Sequence, residues 1–163
     1  MRTLLCAALL LSAACWRNPD HAPVIVGATA DPISREAGEV IARKLEAAGC
    51  RATRQFALGD SAALDRAIVA GAVDVYAESA GAALPILKLP MDTHPSFRDS
   101  QLRTAYVKQR GGDVIWGVPV GAGDFSVVYR KPIDEKCRGA TRTLMAMGYA
   151  LGGARQRLSS TSR

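Results

Sequence analysis

Histidine is too scarce in this chain to build a zinc site: His21 sits in a polar, proline-bearing stretch and His94 in a Thr-His-Pro turn, with no His/Cys/Asp spacing around either. No G-x-S-x-G elbow and no paired Ser/His/Asp arrangement occurs, which argues against nucleophilic hydrolysis. The glycine-rich Gly121-Ala122-Gly123-Asp124 lacks the Lys-Ser/Thr that a phosphate loop requires. Asp60-Ser61 and Asp99-Ser100 read as helix caps. The expectation is a protein that is not an enzyme and that holds neither metal nor cofactor. Acid is missing from the C-terminal end: after Glu135 come Lys136, Arg138, Arg142, Arg155, Arg157 and Arg163 with no Asp or Glu among them. Residues 1–135 carry 15 basic and 15 acidic side chains, so the net charge of +6 lies wholly in 136–163. A nucleic-acid surface spreads its basic charge over a folded face, so no nucleic-acid partner is expected. Residues 136–163 read instead as a basic, disordered tail. In that tail Leu144, Met145, Met147, Tyr149 and Leu151 lack a clear partner, and Gly148, Gly152 and Gly153 interrupt any amphipathic, lipid-binding face.

No apolar run reaches the roughly 20 residues that span a bilayer. The run that is present, Leu4–Leu11 behind Arg2 and before Ser12-Ala13-Ala14, has the charge, length and small residues of an export leader. Residues 1–14 therefore read as a signal peptide and 15–23 as a spacer. Cys15 follows the small residues at once and resembles the acylated cysteine of a bacterial lipoprotein box, although Ser12 stands where that pattern prefers leucine. Lipidation at Cys15 and simple secretion both remain open. Either places the body outside the cytoplasmic membrane, in the periplasm or on the membrane's outer face, with membrane contact only through a lipid anchor. With Cys6 and Cys15 assigned to the leader region, Cys50 and Cys137 are left to pair in an oxidising compartment or to stay as free thiols.

What remains is long enough for one domain, 24–135. Val24-Ile25-Val26, bounded by Gly27, reads as a buried parallel strand. Ile33, Ala37, Val40, Ile41, Lys44, Leu45 and Ala48 follow at helical spacing until Gly49. Arg51–Ala57 is a second strand, Asp60 or Ser61 caps a helix over Ala62–Ala70, and Val73–Tyr76 is a third strand that opens into a helix over Glu78–Lys88. Pro95–Arg110 reads as a polar helix, and Val114–Trp116 and Phe125–Tyr129 as strands. Such alternation predicts an α/β fold: a mostly parallel sheet with helices on both faces and ligands at the strand tips.

These residues resemble the substrate-binding proteins of glycine betaine, choline and related osmoprotectant ABC importers. Val26-Gly27 and Gly38-Glu39 stand where that family has V-G and G-E, and Glu46-Ala47-Ala48-Gly49 matches its E-A-A-G turn. Ala57-Leu58-Gly59 is similar to the family's G-L-G, and Asp74-Val75-Tyr76-Ala77-Glu78-Ser79-Ala80-Gly81-Ala82-Ala83-Leu84 to its D-L-Y-P-E-Y-T-G-T-A-L. The resemblance implies a partial periplasmic-binding-protein-like fold with an incomplete second lobe, and an exported component that delivers a small osmolyte (glycine betaine, choline, carnitine or proline class) to a membrane permease. The sequence departs from the pattern at Ser79, where the family has a cage tyrosine, at Ala80 and Ala82 for two threonines, and at Thr29 for a carboxylate-binding lysine. The competing expectations are a truncated or frame-shifted remnant that binds nothing, and an exported interaction domain.

A quaternary ammonium offers no hydrogen-bond donor, so a protein holds it with aromatic faces, each contributing ~0.5–2 kcal/mol when desolvated. Its carboxylate needs Lys, Arg or a helix N-terminus. Of the nine aromatics in the chain, Tyr76, Trp116, Phe125 and Tyr129 lie in or near the strand ends; Tyr76, Trp116 and Tyr129 are the cage candidates, although Tyr76 suits a strand core better than a cage wall. Asp31 and Glu78 are candidates to face a cation from helix starts, where each also suits a cap. Thr29 and Ser79 complete the candidate set.

Overall fold

The computed structural model describes residues 22–91, 94–120 and 124–147. The leader, Cys15, the Gly121-Ala122-Gly123 loop and the end of the basic segment lie outside the described residues. Three strand–helix units open the fold: β1 (Val24–Gly27) and α1 (Pro32–Ala47), β2 (Ala52–Gln55) and α2 (Ser61–Val69), β3 (Val75–Ser79) and α3 (Ala80–Ile86). Then come α4 (Pro95–Gln109), β4 (Val114–Pro119), β5 (Phe125–Arg130), a short α5 (Ile133–Lys136) and a further helix, α6, over residues 140–147. No helix of the described residues is long and apolar enough to cross a membrane.

The strands form one sheet in the order β2-β1-β3-β5-β4. β1 pairs in parallel with both β2 and β3, so the three apolar runs of the N-terminal half are adjacent parallel neighbours. β5 runs antiparallel between β3 and β4, leaving four of these five strands pointing one way. β4 slips in register between Trp116 and Pro119. Gly117 fills that irregularity, where a Cβ would press on the Val127 carbonyl at 3.0 Å.

Strand side chains alternate between two helical layers. Val24, Val26, Val75, Ala77, Val127 and Tyr129 face Ile41 and Leu45 of α1 and Ala140, Leu144 and Met147 of α6. Tyr76, Val114, Trp116 and Val128 face Leu64 and Ile68 of α2, Leu84 of α3 and Leu102 and Tyr106 of α4. Gly38 lets α1 settle close on the first strand: a Cβ there would meet Phe56 at 3.1 Å, the Ala28 Cβ at 3.3 Å and the Gly27 carbonyl at 3.4 Å. The V-G and G-E pieces of the sequence are thus one contact.

The structure corrects the reading of the basic end. Residues 136–147 are not a disordered tail, because Ala140, Leu144 and Met147 recur at helical spacing and are 0–7% exposed. Two further ties hold the segment down. Cys137 is disulfide-bonded to Cys50, with a Cα–Cα distance of 5.5 Å. Lys136 Nζ donates to Asp74 Oδ2 at 2.8 Å. The excess charge along this stretch says nothing about its packing, since the apolar residues alone decide which face is buried.

Candidate functional site

Parallel strands place their C-terminal tips at one edge of the sheet, and each tip here feeds a capped helix. Asp31 caps α1, its Oδ1 accepting from the Ile33 and Ser34 amides at 2.9 and 3.1 Å. Asp60 caps α2 through the Ala63 amide at 2.8 Å. Ser79 caps α3, its Oγ accepting from the Ala82 amide at 3.1 Å. The β1–α1 turn is further knitted by Thr29, whose N–H donates to Ser34 Oγ and whose Oγ1 accepts from the Asp31 N–H. Because β1 and β3 are neighbours, the sheet brings Thr29 and Asp31 together with Glu78 and Ser79. Ala57, on the intervening β2–α2 loop, holds a left-handed φ of 68°. That conformation costs about 1–2 kcal/mol for a residue with a Cβ, and it explains why the family pattern carries glycine there.

Glu78 is not a helix cap. β3 extends to Ser79, three residues beyond the Tyr76 end that its apolar run suggests, because β5 pairs with it along Val75–Ser79. Glu78 therefore occupies a strand position opposite Ser126, 3% exposed. Its Oε1 accepts from Ser61 Oγ at 3.1 Å and from the Ser79 amide at 2.8 Å. Its Oε2 is buried without a hydrogen-bond partner. Burial pushes the carboxyl up to about 7, against the opposing effect of the Ser79 amide and the Ser61 hydroxyl.

A carboxyl whose folded pKa stands above its unfolded value favours the native state while protonated and loses that advantage as pH rises. The relevant window runs from about 4.5 to about 7. Across it, Glu78 is expected to cost the native protein about 3 kcal/mol. Glu78→Gln should flatten this fall, and denaturant titrations at pH 5 and pH 8 check it. Equal pH dependence in the two proteins would show that Glu78 keeps an ordinary carboxylate pKa.

The aromatic candidates do not form a cage at the strand tips. Tyr76 is fully buried beneath α4, its hydroxyl 3.3 Å from that of Tyr106. Trp116 is 1% exposed, stacks on Tyr106 at 5.6 Å and donates to Asp99 Oδ1. Tyr129 lies opposite Val75, at the far end of β3 from the tip, because β5 runs antiparallel. Trp116 and Tyr129 instead line a groove of about 230 Å³ beside edge strand β4, between α4 and α6. Asp74 also belongs to the far end, just before β3 begins.

Sequence reasoning missed Ser61 as a partner of Glu78. The two are 17 residues apart, and only the packing of α2 on β3 joins them. Among the described residues no group of three or more His, Cys, Asp or Glu is placed to hold a metal ion.

No family model matches this chain, and no curated protein does. Among solved structures it is similar to apo YehZ from Escherichia coli, with 24% sequence identity, a TM-score of 0.55 and a match over 61% of this chain. The match covers 36% of that chain, so the sequence spans about a third of the neighbour's length. The fold is thus a mixed α/β one, part of a periplasmic-binding-protein-like architecture.

Proposed function

We propose that this chain is an exported solute-binding protein that presents a small amine or zwitterionic osmolyte, of the glycine betaine, choline, carnitine or proline class, to an ABC permease. The observation that carries this reading is the convergence of Thr29, Asp31, Glu78 and Ser79 on the tips of adjacent parallel strands. In open α/β sheets that edge is where ligands bind. The resemblance of Gly71–Lys88 and its neighbours to the osmoprotectant-binding family supports the ligand class. The Cys50–Cys137 disulfide supports an oxidising compartment and hence export. The role is binding rather than catalysis.

A ligand at 100 times its dissociation constant stabilises its receptor by roughly 2.7 kcal/mol. For a chain of this length that is a rise in melting temperature on the order of 8 °C. Thermal unfolding of the full chain with and without each of the four solutes tests the reading. A rise with at least one solute is expected, and no rise with any would remove the osmolyte assignment.

A further inference from the structure

The strand-tip edge is rich in acceptors. Its backbone donors are largely spent on the protein itself, in the α1, α2 and α3 caps and in the Ala28 and Leu58 amides, which bond Gln55 and Ala28 carbonyls at 3.1 Å. Ser61 spends its single hydroxyl proton on Glu78, leaving only lone pairs to face outward. Asp31 and Asp60 add exposed carboxylates at two of the three helix starts. Beneath them Glu78 Oε2 is a buried acceptor with no partner. Oε1 of the same carboxyl holds both the first residue of α2 and the N-cap of α3, so Oε2 lies within one carboxyl group of those two helix starts. Ser61 and Ser79 are themselves only half-buried, so the carboxyl lies one side chain below the surface.

An orphaned buried acceptor is costly and calls for a donor. A quaternary ammonium cannot supply one; Tyr76, Trp116 and Tyr129 lie away from this edge, whose aromatics are the half-buried Phe56 and Phe125. A primary or secondary ammonium brings positive charge and two or three N–H donors together. Arg35, exposed in the first turn of α1, adds a cation at the same end that suits a carboxylate on the same solute.

The geometry points to a site for the protonated, N–H-bearing amine of a small solute, with Glu78 Oε2 as its innermost acceptor and Asp31 and Asp60 as its rim. This rests on the solute-binding role above and narrows it to amines that keep their N–H groups.

Titration calorimetry on the full chain with matched pairs, glycine against glycine betaine and ethanolamine against choline, isolates N-methylation from every other difference. The N–H-bearing member of at least one pair is expected to bind tenfold or more tightly than its trimethylated partner. Glu78→Gln should weaken that member by about 10- to 100-fold, the loss of a charge-assisted hydrogen bond. Asp60→Asn keeps a good cap while removing the charge, and should weaken it several-fold, which guards against a Glu78 variant that fails to fold. Tighter binding of the trimethylated members would overturn this inference and leave the solute-binding role standing. Unchanged affinity in both variants would overturn it also. Binding by no member of either pair, with no rise in melting temperature from proline, would remove this inference, whereas the broader role would still stand if carnitine raised the melting temperature.

Discussion

Replacing Cys50 and Cys137 together by alanine is expected to lower the stability of the folded chain by about 4 kcal/mol. The bridge spans 87 residues, about two thirds of the folded body, and ties the turn after α1 to the end of α5. Without it the unfolded chain regains the freedom of a very long loop, and loop-closure entropy grows with loop length. Alanine is the better replacement because Cys50 is 8% exposed, and serine would bury a hydroxyl there. Denaturant unfolding with and without a thiol reductant gives the same comparison on the unmodified protein. A midpoint that reductant does not move would show that the two thiols are free in solution. Because the crosslink anchors α6, the loss should appear first in the segment carrying Leu144 and Met147, as faster amide exchange there than in β1 or β3.

The second large effect is expected at Asp74, where Asp74→Ala should cost about 3–5 kcal/mol. The carboxylate is nearly enclosed, its side chain 3% exposed, and its Oδ2 accepts from the Ile25 amide at 2.7 Å as well as from Lys136 Nζ at 2.8 Å. Removing it strands a backbone donor in the sheet and an ammonium with its charge partly desolvated. Lys136→Met leaves the Ile25 bond in place and should cost less. The double variant separates the two contributions: it should be clearly less destabilised than the sum of the single ones. Salt should have less influence than on a fully exposed pair, since the Asp74 carboxylate is buried although Lys136 is partly exposed. If Asp74→Ala costs under about 1 kcal/mol, the contact contributes no more than a surface ion pair. The surface case is present in the same molecule for comparison. Arg54 on edge strand β2 grips Glu46 and Glu39 of α1 at 2.6 and 2.7 Å and holds both carboxyls below their usual range, yet all three side chains are about a third or more exposed. Its loss should be worth much less.

Both predictions concern residues 133–147, the part of the chain where charge was the misleading signal. Six cations without an acid read as a solvated tail. Lys136 instead pairs with the buried Asp74 carboxylate, and Leu144 and Met147 complete the layer over β1, β3 and β5. A domain ended at residue 135 would lose the disulfide, the ion pair and that layer together. The strand–helix alternation from Val24 to Ser79 was legible because each element carries its own period and its own stop: Gly27 at the end of β1, Gly49 after α1, Gly71 after α2. The end of β3 was not, because an apolar run shows burial on both faces but not how far a partner strand will continue the ladder. The candidate site was legible only by address. Thr29, Asp31, Glu78 and Ser79 do gather at one edge. The roles of two of them changed, with Ser79 capping α3 and Glu78 entering the sheet.

By itself the amino-acid order determined that the chain would alternate strands and helices, that its first three strands would pair side by side in parallel, and that their tips would carry small and acidic residues. The elements are set locally, by side-chain periodicity and by glycine and proline at the breaks, and the parallel pairing follows from their strand–helix–strand order. Only the tertiary structure decided that Glu78 is buried against Ser61 with one oxygen unpartnered, that Tyr76, Trp116 and Tyr129 belong to the core, and that Cys50 meets Cys137. Each of those depends on residues far apart in the chain coming within a few ångströms, and no local period encodes such a distance. The direction of β5 is the clearest case: run antiparallel, it carries Tyr129 to the end of the sheet opposite the site.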